Sequence, residues 1–144
     1  MARRPSSFFL DTNVYIHLLR DPDYERRLER FFRGTHLFTV NKIVLMELWE
    51  GVKTKAEAEF LEEQERHFPA CGFLDEGFVV AGKILLEMTR NRQPQSGNRR
   101  KITWDILIAV SAYQNDAIVV TKNTSDFRRI QKYLGFQFAP ADKD

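Results

Sequence analysis

Cysteine and histidine are scarce in this chain, with one and three among 144 residues. A lone Cys71 excludes an intrachain disulfide and a thiolate metal cage. Between Ala70 and Phe73 it reads as a small core residue. His17, His36 and His67 fall in no metal-ligand spacing, which argues against zinc. Long apolar runs are also missing: none approaches the roughly 18 to 20 residues that cross a bilayer. Phe8–Leu10 meets Asp11 too soon to be the apolar segment of a signal peptide. The expectation is a cytoplasmic protein without a membrane partner. Excess charge of one sign is absent as well. The net +2 is too small to mark a nucleic-acid binder by itself, and no repeat or low-complexity tract occurs.

What is present is the composition of an ordinary globular protein, 43% hydrophobic and 29% charged. The length suits a single domain over residues 1–144, with a core from about 6 to 138. Strand and helix signals alternate. Ser6–Leu10 predicts a buried strand, followed by a short helix from Thr12. Asp21 and Pro22 open a helix over about Asp23–Arg33, which Gly34 stops. His36–Val40 predicts a second strand. Asn41 caps a helix to about Glu50, and Thr54 caps another over Lys55–His67. Ala70–Leu74 is a short strand and Phe78–Asn91 an amphipathic helix. Gln93–Asn98 is a loop, and Thr103 caps a buried helix over Trp104–Gln114. Ala117–Thr121 is the clearest strand, continuous enough to be central. Asn123 or Thr124 caps a last long helix ended by Gly135, Phe136–Phe138 is a short strand, and the tail from Ala139 should fray. This order predicts an α/β fold with a mainly parallel sheet.

Ligands in such folds bind at the carboxyl ends of strands, and acids stand there. Asp11 follows the first strand; it is either a helix cap or a metal ligand, with Thr12 and Asn13 placed to orient it. Glu47 lies in the apolar helix Ile43–Trp49, where a carboxylate is unusual without a partner. It is preferred over Glu50, which has Lys53 one turn on and reads as solvated. Asp105 occupies the first turn of its helix, where the dipole favours an acid. Yet it shares a face with Ile108, Ala109 and Ala112, small enough to let that helix approach the sheet edge. Asn123 and Asp126 follow the strand ending at Thr121; they read as a capping box or as site residues. Acids gathered at one edge form a hard, oxygen-rich site suited to Mg²⁺ or Mn²⁺, and the chemistry that fits is metal-assisted hydrolysis of a phosphodiester. The basic segment Arg90, Arg92, Arg99, Arg100 and Lys101 suits a phosphate backbone.

Four segments together resemble PIN-domain ribonucleases, and in particular the VapC toxins of toxin–antitoxin pairs. They are Leu10-Asp11-Thr12-Asn13-Val14, Met46-Glu47-Leu48-Trp49-Glu50-Gly51, Asp105-Ile106-Leu107-Ile108-Ala109 and Val120-Thr121-Lys122-Asn123-Thr124-Ser125-Asp126-Phe127. They match in order and spacing over about Phe8 to Phe138. The resemblance implies a three-layer α/β/α sandwich and a Mg²⁺- or Mn²⁺-dependent endoribonuclease acting on RNA. It also implies a homodimer and a cognate antitoxin. Asp11, Glu47 and Asp105 fall on the family's first three acids. The family often carries an aspartate where this chain has Asn123, so Asp126 is assigned as the fourth acid, with Asn123 a neutral ligand or positioning group. Thr12, Asn13 and Thr121 support the site, and Arg99, Arg100 and Lys101 are candidates to grip RNA.

Two other classes fit the residues less well. A phosphotransfer enzyme of the haloacid-dehalogenase type would want an aspartate where Asn13 stands. A receiver domain would want an acidic pair near the first strand. A catalytically weak PIN-like module that binds RNA or protein is the remaining alternative.

Overall fold

The computed structural model describes residues 5–91 and 99–142. The expected loop Gln93–Asn98 and the basic Arg92 lie outside the described residues. Four parallel strands form the central sheet in the order β2-β1-β5-β6. Here β1 is Ser7–Leu10, β2 Leu37–Phe38, β5 Ala117–Thr121 and β6 Gln137–Pro140. A second, two-stranded parallel sheet joins β3 (Val40–Asn41) to β4 (Ala70–Cys71). Every residue of β1 is buried, as a strand covered on both faces requires. The helices α1 (Thr12–Arg20), α2 (Glu25–Phe32), α3 (Lys42–Glu50), α4 (Lys55–His67), α5 (Glu76–Arg90), α6 (Arg99–Gln114) and α7 (Thr124–Gln131) complete an α/β/α arrangement.

The chain leaves β1 toward β2 on one side and returns to β5 on the other. The sheet therefore has its topological switch between β1 and β5, where α/β folds open a crevice. The register pairs Leu10 with Val120, and the Asp11 N–H extends the ladder to the Val120 carbonyl at 2.8 Å. Asp11 and Thr121 are thus brought to the same edge by backbone pairing alone.

Local signals behave as the residue types dictate. Asn41 caps α3 by accepting from the Ile43 and Val44 N–H groups, and its amide donates to the Ser111 hydroxyl of α6 at 3.0 Å. This buried link sets the relation between the helices carrying Glu47 and Asp105. Thr54 and Glu57 form a reciprocal capping box on α4. Cys71 is buried, its Sγ 3.2 Å from the Thr39 hydroxyl. Among the described residues no helix is long and apolar enough to cross a membrane.

Four expectations are corrected. The stretch His36–Val40 is not one strand. The Thr39 N–H and hydroxyl both donate to the Phe8 carbonyl, and Val40 turns away to bond Pro69, so the chain passes from one sheet to the other. The helix expected from Trp104 starts at Arg99; Thr103 lies inside it, its hydroxyl donating back to the Arg99 carbonyl at 2.9 Å, and caps nothing. Helix α7 ends at Gln131, before Gly135. The tail does not fray from Ala139. Ala141 is buried and donates to the Thr121 carbonyl, Arg30 binds the Pro140 and Ala141 carbonyls, and Asp142 accepts from Tyr24 and Lys122.

Candidate active site

Asp11 follows β1 at the carboxyl edge of the sheet, with 4% of its surface exposed. Its Oδ1 accepts the Thr12 N–H at 2.8 Å. Its Oδ2 accepts the Thr121 hydroxyl at 2.7 Å and the Asn13 amide at 3.4 Å. Capping α1 uses Oδ1, so the helix-cap reading holds, while Oδ2 is held by Thr121 and Asn13. Burial pushes this carboxyl above its ordinary range, against the opposing pull of the Thr121, Thr12 and Asn13 hydrogen bonds and the Lys101 charge.

Glu47 is half-buried on α3 and accepts the Thr12 hydroxyl at 3.0 Å. Thr12 thus reads Asp11 with its backbone and Glu47 with its side chain. Burial raises the Glu47 carboxyl as well, and the Asp11 charge adds to this. Glu50 is exposed and paired with Arg100 at 3.0 Å, away from the crevice.

Asp105 lies in the second turn of α6, because that helix begins earlier than expected. The dipole account fades there, since the macrodipole acts within the first turn. Ile108, Ala109 and Ala112 are buried on the same helix. Burial first, then the charges of Asp11 and Glu47, push the Asp105 carboxyl up to about 7, against the counter-charge of Lys101.

Asp126 is 2% exposed and sits in the first turn of α7. Arg129 pairs with its Oδ1. Its Oδ2 and the Asp105 Oδ2 accept from the same Asn123 amide, at 2.9 and 3.2 Å. The capping-box reading of Asn123 and Asp126 is overturned, because Asn123 stands at the N-cap without a side-chain cap bond and spends its amide on the two acids. Its backbone N–H donates to the Thr121 hydroxyl at 2.9 Å, so Thr121 links Asn123 to Asp11.

Two cations stand at the acids: Lys101, which the sequence reading assigned to RNA, and Arg129, which it did not name. Lys101 Nζ lies 3.2 Å from Asp105 Oδ2 and 3.5 Å from Asp126 Oδ2. The signals existed: Lys101 precedes Asp105 by four residues and Arg129 follows Asp126 by three, spacings that meet on a helix. The Lys101 signal was hidden because residues 99–101 read as loop; the Arg129 signal lay within a helix already expected and was not used. Arg99 and Arg100 instead open α6 as exposed residues.

The four carboxylates offer hard oxygen donors, while the Asn123 amide turns its nitrogen to Asp105 and Asp126. Three of the carboxyls are held above their ordinary values, first of all by burial, with the neighbouring acids adding to this at Glu47 and Asp105. Among the described residues no three His, Cys, Asp or Glu side chains form a ready metal cage. Beside the acids runs a groove of about 330 Å³, lined by Thr12, Ile16, Leu19, Glu47, Leu48 and Leu61 among others.

The PIN domain family model matches residues 8–133. The chain is 29% identical over 127 residues to the tRNA(fMet)-specific endonuclease VapC of Shigella flexneri, covering 85% of this chain and 91% of that relative. Among solved structures it is similar to DNA-bound VapBC from Salmonella typhimurium, with a TM-score of 0.69, 26% identity and coverage of 94% and 98%. VapBC-1 of nontypeable Haemophilus influenzae matches with a TM-score of 0.69 at 19% identity, over 93% of this chain and 97% of that one, and supports the fold alone.

Proposed function

The chain belongs to the PIN domain family, and from that premise we propose that it is a VapC-type toxin, a Mg²⁺- or Mn²⁺-dependent endoribonuclease held in check by a cognate antitoxin. The observation that carries this reading is the convergence of Asp11, Asp105, Asn123 and Asp126, with Glu47 joined through Thr12, at the switch point of the parallel sheet. Asp11, Glu47, Asp105 and Asp126 would hold the divalent ion, with Asn123 as a neutral ligand or positioning group. When bound, the ion supplies Lewis-acid activation of a phosphodiester and of the attacking water. The chain's own part is positioning. Thr121 and Asn13 fix the Asp11 carboxylate, Thr12 fixes Glu47, and Asn123 holds Asp105 and Asp126 at one spacing.

The exposed Arg99 and Arg100 at the start of α6 are the proposed contacts to the RNA backbone. A protein antitoxin is supported by the Salmonella structure, which is described as VapBC. The groove opens on Thr12 and Glu47, so a segment lying in it would cover the acids. A homodimer is proposed on the resemblance.

The reading is tested by incubating the purified protein with RNA and Mn²⁺ or Mg²⁺. Cleavage should require metal and be lost in Asp11→Asn and in Glu47→Gln, with circular dichroism unchanged. A second reading, a weakly catalytic RNA- or protein-binding module, draws on the neutral Asn123 and on Arg129 against Asp126. It predicts RNA binding without metal-dependent cleavage in the same assay.

A further inference from the structure

Lys101 is joined to the acidic crevice in a way that the site's proposed chemistry does not use. Its ammonium bridges two buried carboxylates from different helices, Asp105 of α6 and Asp126 of α7, through the same oxygens that Asn123 holds. Its charge also acts on Asp11 and Glu47. Ordinary surface i,i+4 pairs contribute little. This one differs, because the acids are almost fully buried, at 8% and 3% side-chain exposure, while the lysine side chain is half exposed. One end of the interaction is fixed and the other can leave. Arg129 is placed differently: its side chain is 18% exposed and it takes the other oxygen of Asp126, Oδ1.

We propose that Lys101 is a tethered counter-ion: in the metal-free protein its ammonium neutralises Asp105 and Asp126, and metal binding exchanges it out of the crevice. This rests on the divalent-metal reading of the site. A divalent ion drawn to Asp105 and Asp126 needs the Oδ2 oxygens that Lys101 occupies. The four-carbon stem lets the ammonium swing to water at little cost, since lysine is strongly hydrated and flexible. Metal-free, the clustered carboxylates are held together by the lysine; metal-loaded, two like charges at one place repel and the lysine departs. Metal affinity is thereby set below what the carboxylates alone would give.

The test is Mn²⁺ binding to the full chain at pH 8.5, where protons compete least, read by the paramagnetic resonance of free Mn²⁺. Removing the competing charge in Lys101→Met should tighten Mn²⁺ by about tenfold, which is about 1.4 kcal/mol. Lys101→Gln should do the same, and serves if the methionine variant is insoluble. Lys101→Arg keeps the charge and should stay near wild type. Lys55→Met removes an exposed, distant charge and should change affinity by less than about twofold, because screening cuts off its field. Metal-free Lys101→Met should also melt below wild type, and saturating Mn²⁺ should close the gap. Equal Mn²⁺ affinity in wild type, Lys101→Met and Lys101→Gln overturns the exchange while leaving the metal site standing. Equal tightening in Lys55→Met overturns it too, since bulk charge then explains the effect. If no form binds Mn²⁺, the metal reading itself falls and this inference falls with it.

Discussion

The Thr121 hydroxyl donates to Asp11 Oδ2 at 2.7 Å across the ends of two neighbouring parallel strands. The same hydroxyl oxygen accepts the Asn123 N–H at 2.9 Å. One buried side chain therefore sets the first carboxylate of the crevice and the loop that carries Asn123. Thr121→Val keeps the shape and removes both bonds. It should lower stability by about 1–3 kcal/mol, the range for leaving buried polar partners unsatisfied. RNA cleavage should fall by at least about tenfold, as misplacing an oriented group does. Urea unfolding and a cleavage assay measure the two effects. Unchanged cleavage would remove Thr121 from the site.

Asp105 carries the clearest pH signature. Its carboxyl releases a proton near 3.8 in the unfolded chain and near 7 in the folded one. Between those values the folded state binds more protons than the unfolded state, so stability falls as pH rises through that window. The contribution is full below about 3.8 and lost above about 7. It amounts to on the order of 4 kcal/mol at most. Asp11 and Glu47, also raised, act in the same direction. Metal-free protein in EDTA should therefore melt higher at pH 5 than at pH 7.5. Asp105→Asn should flatten this difference, and Mg²⁺ or Mn²⁺ should recover stability at the higher pH. A melting temperature that rises from pH 5 to 7.5 in EDTA would contradict the placement of these acids.

Much of this arrangement was legible in the sequence because it depends on local rules. Asp11 and Thr121 end apolar strands, and parallel pairing brings such ends together. Glu47 is distinguished from Glu50 by its apolar neighbours, and the structure leaves Glu47 half-buried beside Thr12 and Glu50 exposed on Arg100. What was not legible depends on tertiary context. Residues Arg99 to Lys101 have no apolar periodicity, so nothing local marks them as helix. Thr103 carries a cap signal that the longer helix overrides. Thr39 sits in a β-branched run, and only its two bonds to Phe8 divide that run between two sheets. Asn123 has the residue type of a cap, but two acids from α6 and α7 claim its amide.

Helix α6 is held in place partly by α5, and Gly77 is where they meet. A Cβ there would come within 2.7 Å of Gln114 Nε2 and Phe73 Cζ and 2.9 Å of Val110 Cγ1. Gln114 cannot easily yield, since its amide binds Leu74 through both its oxygen and its nitrogen. Gly77→Ala should destabilise by about 1–3 kcal/mol, the cost of overpacking. Gly82, on the same helix, has nothing within 4 Å of an added Cβ. Gly82→Ala should stabilise by about 0.5–1 kcal/mol, the helix preference for alanine. Opposite signs in denaturant midpoints, with unchanged slopes, are the expected result. Two changes of the same sign would refute the close approach.

Arg99 and Arg100 test the proposed RNA contacts separately from the chemistry. Both are exposed in the first turn of α6, and Arg100 pairs with Glu50 at 3.0 Å, so its charge is partly offset before any ligand arrives. Counterion release makes binding to a single strand fall with salt by about 0.7 per phosphate contact on logarithmic axes. Replacing both arginines with glutamine should reduce that slope by about 0.7–1.4 and weaken binding uniformly across RNA sequences. Binding is best measured in the cleavage-deficient Asp11→Asn background, which separates grip from hydrolysis. Glu50→Gln frees Arg100 from its pair and should move affinity the other way, with a modest gain at low salt that vanishes at high salt. An unchanged salt slope in the double variant would place the RNA elsewhere on the surface.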